Sequence, residues 1–410
     1  MINFKSFTLK NGLRVVVHED PSSTIVAINV MYQVGSRDEH PHKTGLAHLF
    51  EHLMFGTSQH AHSYDSILHQ AGGDSNAYTT PDVTNYYCTL PPEHLEIALF
   101  LEASRMSKLS LDPQVLAVQK SVVIEEFKER YLNQPYGEVW LELFNVAYTQ
   151  HPYQWPTIGK NQGHIESITM QDVKAFYDSF YTPNNAILVV AGKVRCKVVK
   201  LLVEKWFSPI KRRDRVAQQY ALEPPQTSPK YLKMTGDVPL EGIYKAYHMP
   251  GSQSPHYHAT MLLADILGMG KSSRLYNKLV ECDRYLNTVN TYITETIDPG
   301  LLIISGKLNE HATVEVIEQS IKDVFASLQQ QPVTEEELES TKNKLEMDYE
   351  SAKVDLTHRA QALATATMYG DTDLVNKEVE KITSVTPQAI LEIAQTVLTE
   401  DNCTTVYYSN

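Results

Sequence analysis

The most informative stretch of this chain is Gly45-Leu-Ala-His48-Leu-Phe-Glu51-His52-Leu-Met-Phe55. Its apolar residues recur at helical spacing, which predicts a helix over residues 44–55. His48 and His52 are four residues apart, so their side chains project from the same face of that helix, one turn apart. Glu51 lies between them in an otherwise apolar helix, where an unpaired carboxylate is costly to bury. The pattern therefore favours a chemical role over a helix with two ordinary histidines.

Two imidazoles in this arrangement are suited to binding a metal ion. Zinc accepts neutral imidazole nitrogens at about 2.0–2.1 Å, and a catalytic zinc site has three protein ligands and a water. Glu51 would lie beside that water and take its proton as the metal lowers the pKa of the water. The order His-x-x-Glu-His is the inverse of His-Glu-x-x-His, which does not occur in the chain. We expect one Zn²⁺ per chain, with Glu51 as the catalytic base.

The third zinc ligand has to come from elsewhere in the sequence. A predicted helix over residues 112–132 carries three carboxylates close together. At about 100° per residue, apolar residues bracket Glu126 on both sides, whereas Glu125 falls well outside the apolar arc. Glu129 lies at the edge of that arc. The sequence therefore favours Glu126 as the third ligand, with Glu129 as the second choice.

The rest of the chain mixes predicted strands and helices, as in an α+β fold. A short internal repeat indicates how these elements are arranged. Ile165–Thr169 and Val379–Thr383 have similar sequences, and each precedes a helix and a strand. Their offset, 379 − 165 = 214 residues, is about half the chain. We infer two similar lobes related by internal duplication, each a mostly antiparallel sheet packed with helices. Predicted strands are 7–18 (a hairpin), 23–34, 75–78, 84–90 and 186–191; further helices are 63–71, 94–108 and 171–180.

The boundary between the lobes is predicted at Gln218–Lys230, where three prolines interrupt any periodicity. This places an N-terminal catalytic zinc domain at residues 1–217, a linker at 218–230, and a homologous domain without zinc at 231–410.

The composition excludes several classes of partner. A net charge of −13 argues against binding to nucleic acid or to an anionic membrane, because either would require a basic surface. No apolar run approaches the roughly 18–20 residues that span a bilayer. The four cysteines are scattered without a Cys-x-x-Cys pair, which is typical of free thiols. Because Met1–Val17 lacks a signal-peptide pattern, we expect a cytoplasmic protein, or a periplasmic one if a leader was removed.

Taken together, these motifs resemble the pitrilysin or insulinase-type metallopeptidases, in particular the short two-domain branch that includes mitochondrial processing peptidase-like bacterial proteins. Glu126 lies 126 − 52 = 74 residues beyond His52, as the distant glutamate of that family does. Further segments that match the family are Gly72-Gly-Asp-Ser-Asn76-Ala77-Tyr-Thr79, Thr84-Asn-Tyr86, and His151-Pro-Tyr153 with Gly159. The resemblance implies a zinc endopeptidase that hydrolyses peptides or unfolded segments.

The resemblance also implies how substrate is held. In such proteins the substrate adds as a strand to a sheet edge, here at the segment matching Asn76 and Ala77, so that main-chain hydrogen bonds bind its backbone. Phe55 would line a pocket beside the metal, although an ordinary core position fits its spacing equally well. Three further histidines follow the motif and are expected to be solvated rather than ligands: His60, His62 and His69.

Three positions depart from the family pattern. Members that act alone carry an arginine and a tyrosine seven residues apart in the C-terminal half, which bind the substrate carbonyl. Aligning Ser272–Leu279 with that pattern places Val280 at the arginine and Asn287 at the tyrosine. We therefore expect a dimer, in which a homologous partner chain supplies the arginine and tyrosine. Gln119 stands where the family often has a second glutamate.

Two other functions remain open from the sequence. Relatives of this fold serve as non-catalytic structural or assembly subunits, which need no complete set of metal ligands. A metal-binding module without hydrolysis would keep His48, His52 and Glu126 but would not need Glu51. The presence of all four residues favours the peptidase.

Overall fold

The computed structural model describes residues 1–56, 64–108, 112–213 and 220–410. They fall into two compact units, each discontinuous in sequence. Unit 1 comprises Met1–Phe127, Trp155–Tyr220 and Glu350–Lys377, and unit 2 comprises Lys128–Gln154, Ala221–Tyr349 and Glu378–Asn410. The predicted boundary at 218–230 separates the two duplicated halves of the sequence. The compact units divide the chain differently, because residues 128–154 belong to unit 2 and residues 350–377 belong to unit 1.

The described residues form strands and helices with the following bounds. The strands are β1 (Lys5–Thr8), β2 (Arg14–Glu19), β3 (Val26–Tyr32), β4 (Asp74–Thr79), β5 (Thr84–Leu90), β6 (Ala186–Gly192), β7 (Lys230–Thr235), β8 (Gly242–Met249), β9 (Leu286–Ile293), β10 (Gly300–Leu308) and β11 (Cys403–Ser409). The helices are α1 (Leu46–Gly56), α2 (Tyr64–Gln70), α3 (Leu95–Ser107), α4 (Pro113–Phe127), α5 (Gly137–Ala147), α6 (Gln162–Ser167), α7 (Met170–Phe180), α8 (Cys196–Phe207), α9 (Tyr257–Gly268), α10 (Val314–Gln330), α11 (Glu335–Ala352), α12 (Leu356–Met368), α13 (Glu378–Thr383) and α14 (Pro387–Val397).

Unit 1 is built on a six-stranded sheet in the order β1-β2-β6-β3-β5-β4. Only β2 and β6 are parallel, and the other neighbours are antiparallel. The central strands β3 and β6 are buried along their whole length, which explains their continuous apolar sequences. On one face, Met31 and Val189 pack with Leu363 of α12 in one core cluster. The edge strand β4 is more polar and partly exposed.

Unit 2 is built on a five-stranded sheet in the order β7-β11-β8-β10-β9. Here too one neighbouring pair, β7 with β11, is parallel and the rest are antiparallel. In chain order, β7 to β11 take the places that β2 to β6 take in unit 1, so the two sheets have the same topology apart from β1. The expected α+β fold of two similar, mostly antiparallel lobes is thus confirmed.

One predicted helix differs from the structure. The periodicity predicts a continuous helix over 112–132, but α4 ends at Phe127 and five residues of π-helix, Lys128–Leu132, follow it. The chain then turns back through Tyr136, whose φ is 65°, to Gly137. A Cβ at Gly137 would lie 2.5 Å from the carbonyl oxygen of Tyr131, so this close turn requires glycine. Apolar spacing cannot report such a change of helical pitch.

Two further expectations from the sequence concern the state of the cysteines and the presence of membrane-spanning helices. The four cysteines are free, with Cys88 and Cys403 buried. Among the described residues, no helix combines the length and the apolar character needed to cross a membrane.

Candidate metal centre

The start of α1 is fixed by a buried carboxyl group. Glu39 accepts hydrogen bonds from the backbone amides of Gly45 at 2.9 Å and Ala47 at 2.7 Å, which satisfies donors at the N-terminus of the helix. Burial raises the pKa of the Glu39 carboxyl to about 8, and the amides of Ala47 and Gly45 act in the opposite direction. Gly45 itself has a φ of +92°, and a Cβ there would lie 2.5 Å from the carbonyl oxygen of Ile158. The entry into the helix is therefore tightly constrained.

α1 brings His48 and His52 onto one face. Their ring centroids are 4.9 Å apart. Nε2 of His48 lies 3.7 Å from Oε2 of Glu126, and Nε2 of His52 lies 3.5 Å from the same oxygen. One ligand atom from each of the three residues lies within 4.8 Å of the others. The structure thus brings together the three side chains predicted as ligands, from α1 and α4.

The helix α4 explains why Glu126 takes this place. Val123 and Phe127 are buried and flank Glu126 on the inner side of the helix, and the Glu126 side chain is 26% exposed. Glu125 and Glu129 are exposed residues outside the cluster. Glu126 therefore lies in the cluster whereas Glu125 and Glu129 do not, as its position in the apolar arc predicts.

The three residues fit a zinc ion by distance and by donor type. Zinc–ligand distances of about 2.0–2.2 Å place two ligand atoms of a tetrahedral ion roughly 3.3–3.6 Å apart. The 3.5 Å separation between Glu126 and His52 is of this size, the 3.7 Å separation between Glu126 and His48 is slightly larger, and all three ligand atoms lie within 4.8 Å of one another. Two imidazoles with one carboxylate is also a donor set found in catalytic zinc sites.

Glu51 is held by a residue that the sequence did not single out. The hydroxyl of Thr79, the last residue of β4, donates a hydrogen bond of 2.7 Å to Oε2 of Glu51. This contact joins two segments 28 residues apart and has no local pattern by which it could be found. It orients the carboxylate from the sheet, independently of α1.

Strand β4 is the edge of its sheet, with β5 as its only neighbour in the strand order. Asn76 is exposed and Ala77 is 9% exposed. The backbone amide of Ala77 donates to Oδ1 of Asn76 at 2.8 Å. The predicted substrate residues therefore lie on the sheet edge that ends at Thr79, the residue bonded to Glu51.

The remaining predicted residues are placed as follows. Phe55 is partly exposed at the end of α1, where its ring lies 5.7 Å from that of Tyr64 and beneath the guanidinium of Arg105. His69 is exposed on α2 and is not part of the cluster. The predictions for His60 and His62 lie outside the described residues.

In unit 2, the positions aligned with the family arginine and tyrosine carry no such side chains. Val280 lies in a stretch of π-helix and packs against the core of the unit. Asn287 is exposed on β9.

Comparison with known proteins assigns the family. The model of the insulinase peptidase family M16 matches residues 14–160, and the model of the M16 inactive domain matches residues 167–345. A zinc protease, PqqE of Helicobacter pylori, is 32% identical over 351 residues, which cover 84% of this chain and 79% of that protein. The chain belongs to peptidase family M16. The family resemblance drawn from the sequence is confirmed.

Further relatives of this M16 chain match it over all or nearly all of its length. The crystal structure of a protease from Helicobacter pylori matches it with a TM-score of 0.94 at 29% identity, covering 100% of both chains. YmxG of Bacillus subtilis, an uncharacterized zinc protease, is 27% identical over 409 residues, 97% of this chain and 96% of that protein. The name zinc protease thus recurs among relatives in sequence, and a solved protease has the same fold.

Proposed function

We propose that this M16 chain is a zinc-dependent endopeptidase that hydrolyses peptides or unfolded segments. The observation that carries the proposal is the convergence of His48, His52 and Glu126, with Glu51 on the same helix between the two histidines. A structural subunit of this fold would not need a matched set of ligands together with a base. The names of the relatives support the same reading.

In the proposed reaction, the metal ion and the protein side chains have separate roles. Bound by His48, His52 and Glu126, zinc supplies a Lewis acid that lowers the pKa of a water and polarises a carbonyl group. The Glu51 carboxylate accepts the proton of the attacking water and delivers it to the nitrogen of the leaving amine. Thr79 keeps the carboxylate in one orientation while the proton moves, because its hydroxyl donates a hydrogen bond to Oε2.

Substrate binding is assigned to the edge of β4. An edge strand offers backbone groups to which an extended peptide can pair. The amide of Ala77, now bonded to the Asn76 side chain, is one donor that a substrate carbonyl could take over. Phe55 would line the neighbouring pocket. Since main-chain bonds supply most of this recognition, the site would accept varied side chains.

Replacing Glu126 by Gln is expected to remove zinc and activity together. The amide is a poorer ligand than the carboxylate and carries no charge. We expect zinc affinity to fall by more than the roughly 10- to 100-fold that loss of an outer-shell partner costs. Competition with a chromophoric chelator measures the affinity, and hydrolysis of an unfolded peptide measures the activity.

The matched control is Glu129→Gln, an exposed glutamate on the same turn. It is expected to retain zinc and activity. If Glu129→Gln loses zinc while Glu126→Gln keeps it, the ligand assignment is wrong. If added Zn²⁺ fails to restore hydrolysis after chelation of the wild-type protein, the zinc-dependent peptidase itself is refuted.

We further propose that a homologous partner chain supplies the arginine and tyrosine that Val280 and Asn287 replace. Donors aimed at a developing oxyanion contribute about 10²–10³-fold in kcat. The purified chain alone is therefore expected to cleave unfolded peptides about 10²–10³-fold more slowly than the complex purified from its native source. Equal turnover by the two samples, at matched zinc content, would contradict an obligate partner.

A further inference from the structure

A cavity separate from the candidate metal centre lies wholly within unit 2, on one face of its sheet. Its volume is about 250 Å³. Three adjacent strands form its floor: in the register of the sheet, Ser305 of β10 is opposite Tyr244 of β8 and Asn290 of β9. Tyr136 and Trp140 form a wall from the segment that leads into and through the first turn of α5.

The most unusual side chain of this cavity is Lys307 of β10. Its ammonium group donates a hydrogen bond to Oη of Tyr244. The same nitrogen lies 2.8 Å from the ring centroid of Tyr136 and 4.8 Å from that of Tyr244. Within the part of the chain that the structure describes, no carboxylate lies within ion-pair distance of it. Burial lowers the pKa of Lys307 to about 7, as expected for a cation without a counter-charge.

The rings around Lys307 are held in place by the rest of unit 2. The hydroxyl of Tyr136 donates to the carbonyl oxygen of Leu240 at 2.6 Å and accepts from the amide of Leu240 at 3.2 Å. Trp140 packs edge-on against Tyr244, with ring centroids 5.6 Å apart. The cavity is therefore preformed, which limits the ordering cost of binding a ligand.

The lining has the composition of a site for an anion with an apolar part. Among the described residues, the lining contains the cationic side chains Lys307 and Arg130 and no Asp or Glu. Asn290 and Ser305 offer neutral hydrogen-bonding groups beside the lysine, and the aromatic rings cover the opposite side. Drug-sized ligands occupy about 300 Å³ or more. A cavity of about 250 Å³ suits a smaller molecule, of the size of one or two amino acid residues.

We propose that this cavity binds a carboxylate attached to an aromatic group, with Lys307 as its counter-charge. Such a group is carried by the C-terminal residue of a peptide and by small free acids. An incoming carboxylate supplies the counter-charge that the half-buried ammonium lacks among the described residues, and the ring of the ligand packs against Tyr136 and Trp140. The proposal is independent of the peptidase activity, because the cavity and the metal centre share no residue.

The test measures binding rather than catalysis, with N-acetyl-L-phenylalanine as the probe and N-acetyl-L-phenylalanine amide as its neutral counterpart. Saturation-transfer NMR titrations give the Kd of each for the zinc-loaded full chain. The acid is expected to bind at least about tenfold more tightly than the amide, as a charge-assisted contact implies. Lys307→Gln is expected to abolish this preference.

The matched control is Lys233→Gln, which removes an exposed lysine of unit 2 that does not line the cavity. It should leave both dissociation constants unchanged. Tighter binding of Gly-Gly-Phe than of N-acetylphenylalanine identifies a peptide terminus, and the reverse order identifies a small acid; both orders support carboxylate recognition. Equal binding of acid and amide by the wild type overturns the proposal, whether or not the variant folds.

Discussion

Glu51→Gln is expected to lower kcat on an unfolded peptide by about 10²–10⁴-fold, the contribution of a well-placed general base. The amide has nearly the shape of the carboxylate and its oxygen can still accept the hydrogen bond from Thr79, now 2.7 Å long. It cannot take a proton from water. Zinc stoichiometry should stay near one per chain, because the proposed ligands are His48, His52 and Glu126 rather than Glu51.

The matched control for this prediction is Glu125→Gln, which makes the same chemical change at an exposed position of α4. Its kcat should equal that of the wild type. Elemental analysis of both variants then separates loss of metal from loss of the base. If Glu51→Gln retains hydrolysis with full zinc, the assigned role of Glu51 is refuted. If the wild type itself binds zinc without hydrolysing any peptide, alone or with its native partner, a metal-binding module becomes the better description.

The sequence predicted the features of this site that depend on periodicity. The helical spacing of His48 and His52 gives their common face, and the apolar arc of α4 selects Glu126 over its neighbours. The duplicated strand and helix order gives the two similar sheets. For the histidines and Glu126, the direction of the side chain follows from local backbone geometry, so a single segment contains the required information.

The contacts that hold the site could not be predicted in this way. The bond from Thr79 to Glu51 and the cap of α1 by Glu39 join residues whose relation is set by tertiary packing. The ion pair between Glu102 and Arg105, whose guanidinium lies over the ring of Phe55, belongs to the same class, because the two residues are spaced like an ordinary surface pair on α3. Sequence spacing alone cannot distinguish a solvated pair from a buried one.

That ion pair joins Arg105 to Glu102 inside unit 1. Their side chains are 2% and 1% exposed. Arg105 donates to the two carboxylate oxygens at 2.8 and 2.6 Å, and the hydroxyl of Tyr64 donates to Glu102 at 2.7 Å. The guanidinium also lies 4.4 Å from the ring centroid of Tyr86 and 5.7 Å from that of Phe55, the next-to-last residue of α1.

Arg105→Met is expected to destabilise unit 1 by about 3–5 kcal/mol, because it leaves a buried carboxylate without its charged partner. The double variant Glu102→Leu/Arg105→Met removes both charges and should recover most of the loss, since well-packed apolar residues often replace a buried pair without penalty. Urea unfolding measures both free energies.

The matched control is Arg213→Met, which breaks the more exposed pair with Asp178, whose side chain is 53% exposed. It should cost only about 0–1 kcal/mol. If Arg105→Met lowers the free energy of unfolding by no more than the control does, the buried pair contributes no more to stability than a solvent-exposed ion pair. If the double variant is as unstable as Arg105→Met, the loss comes instead from the packing of the guanidinium against the aromatic rings. The region around Phe55 would then be stabilised by Arg105 as a space-filling group rather than as a counter-charge.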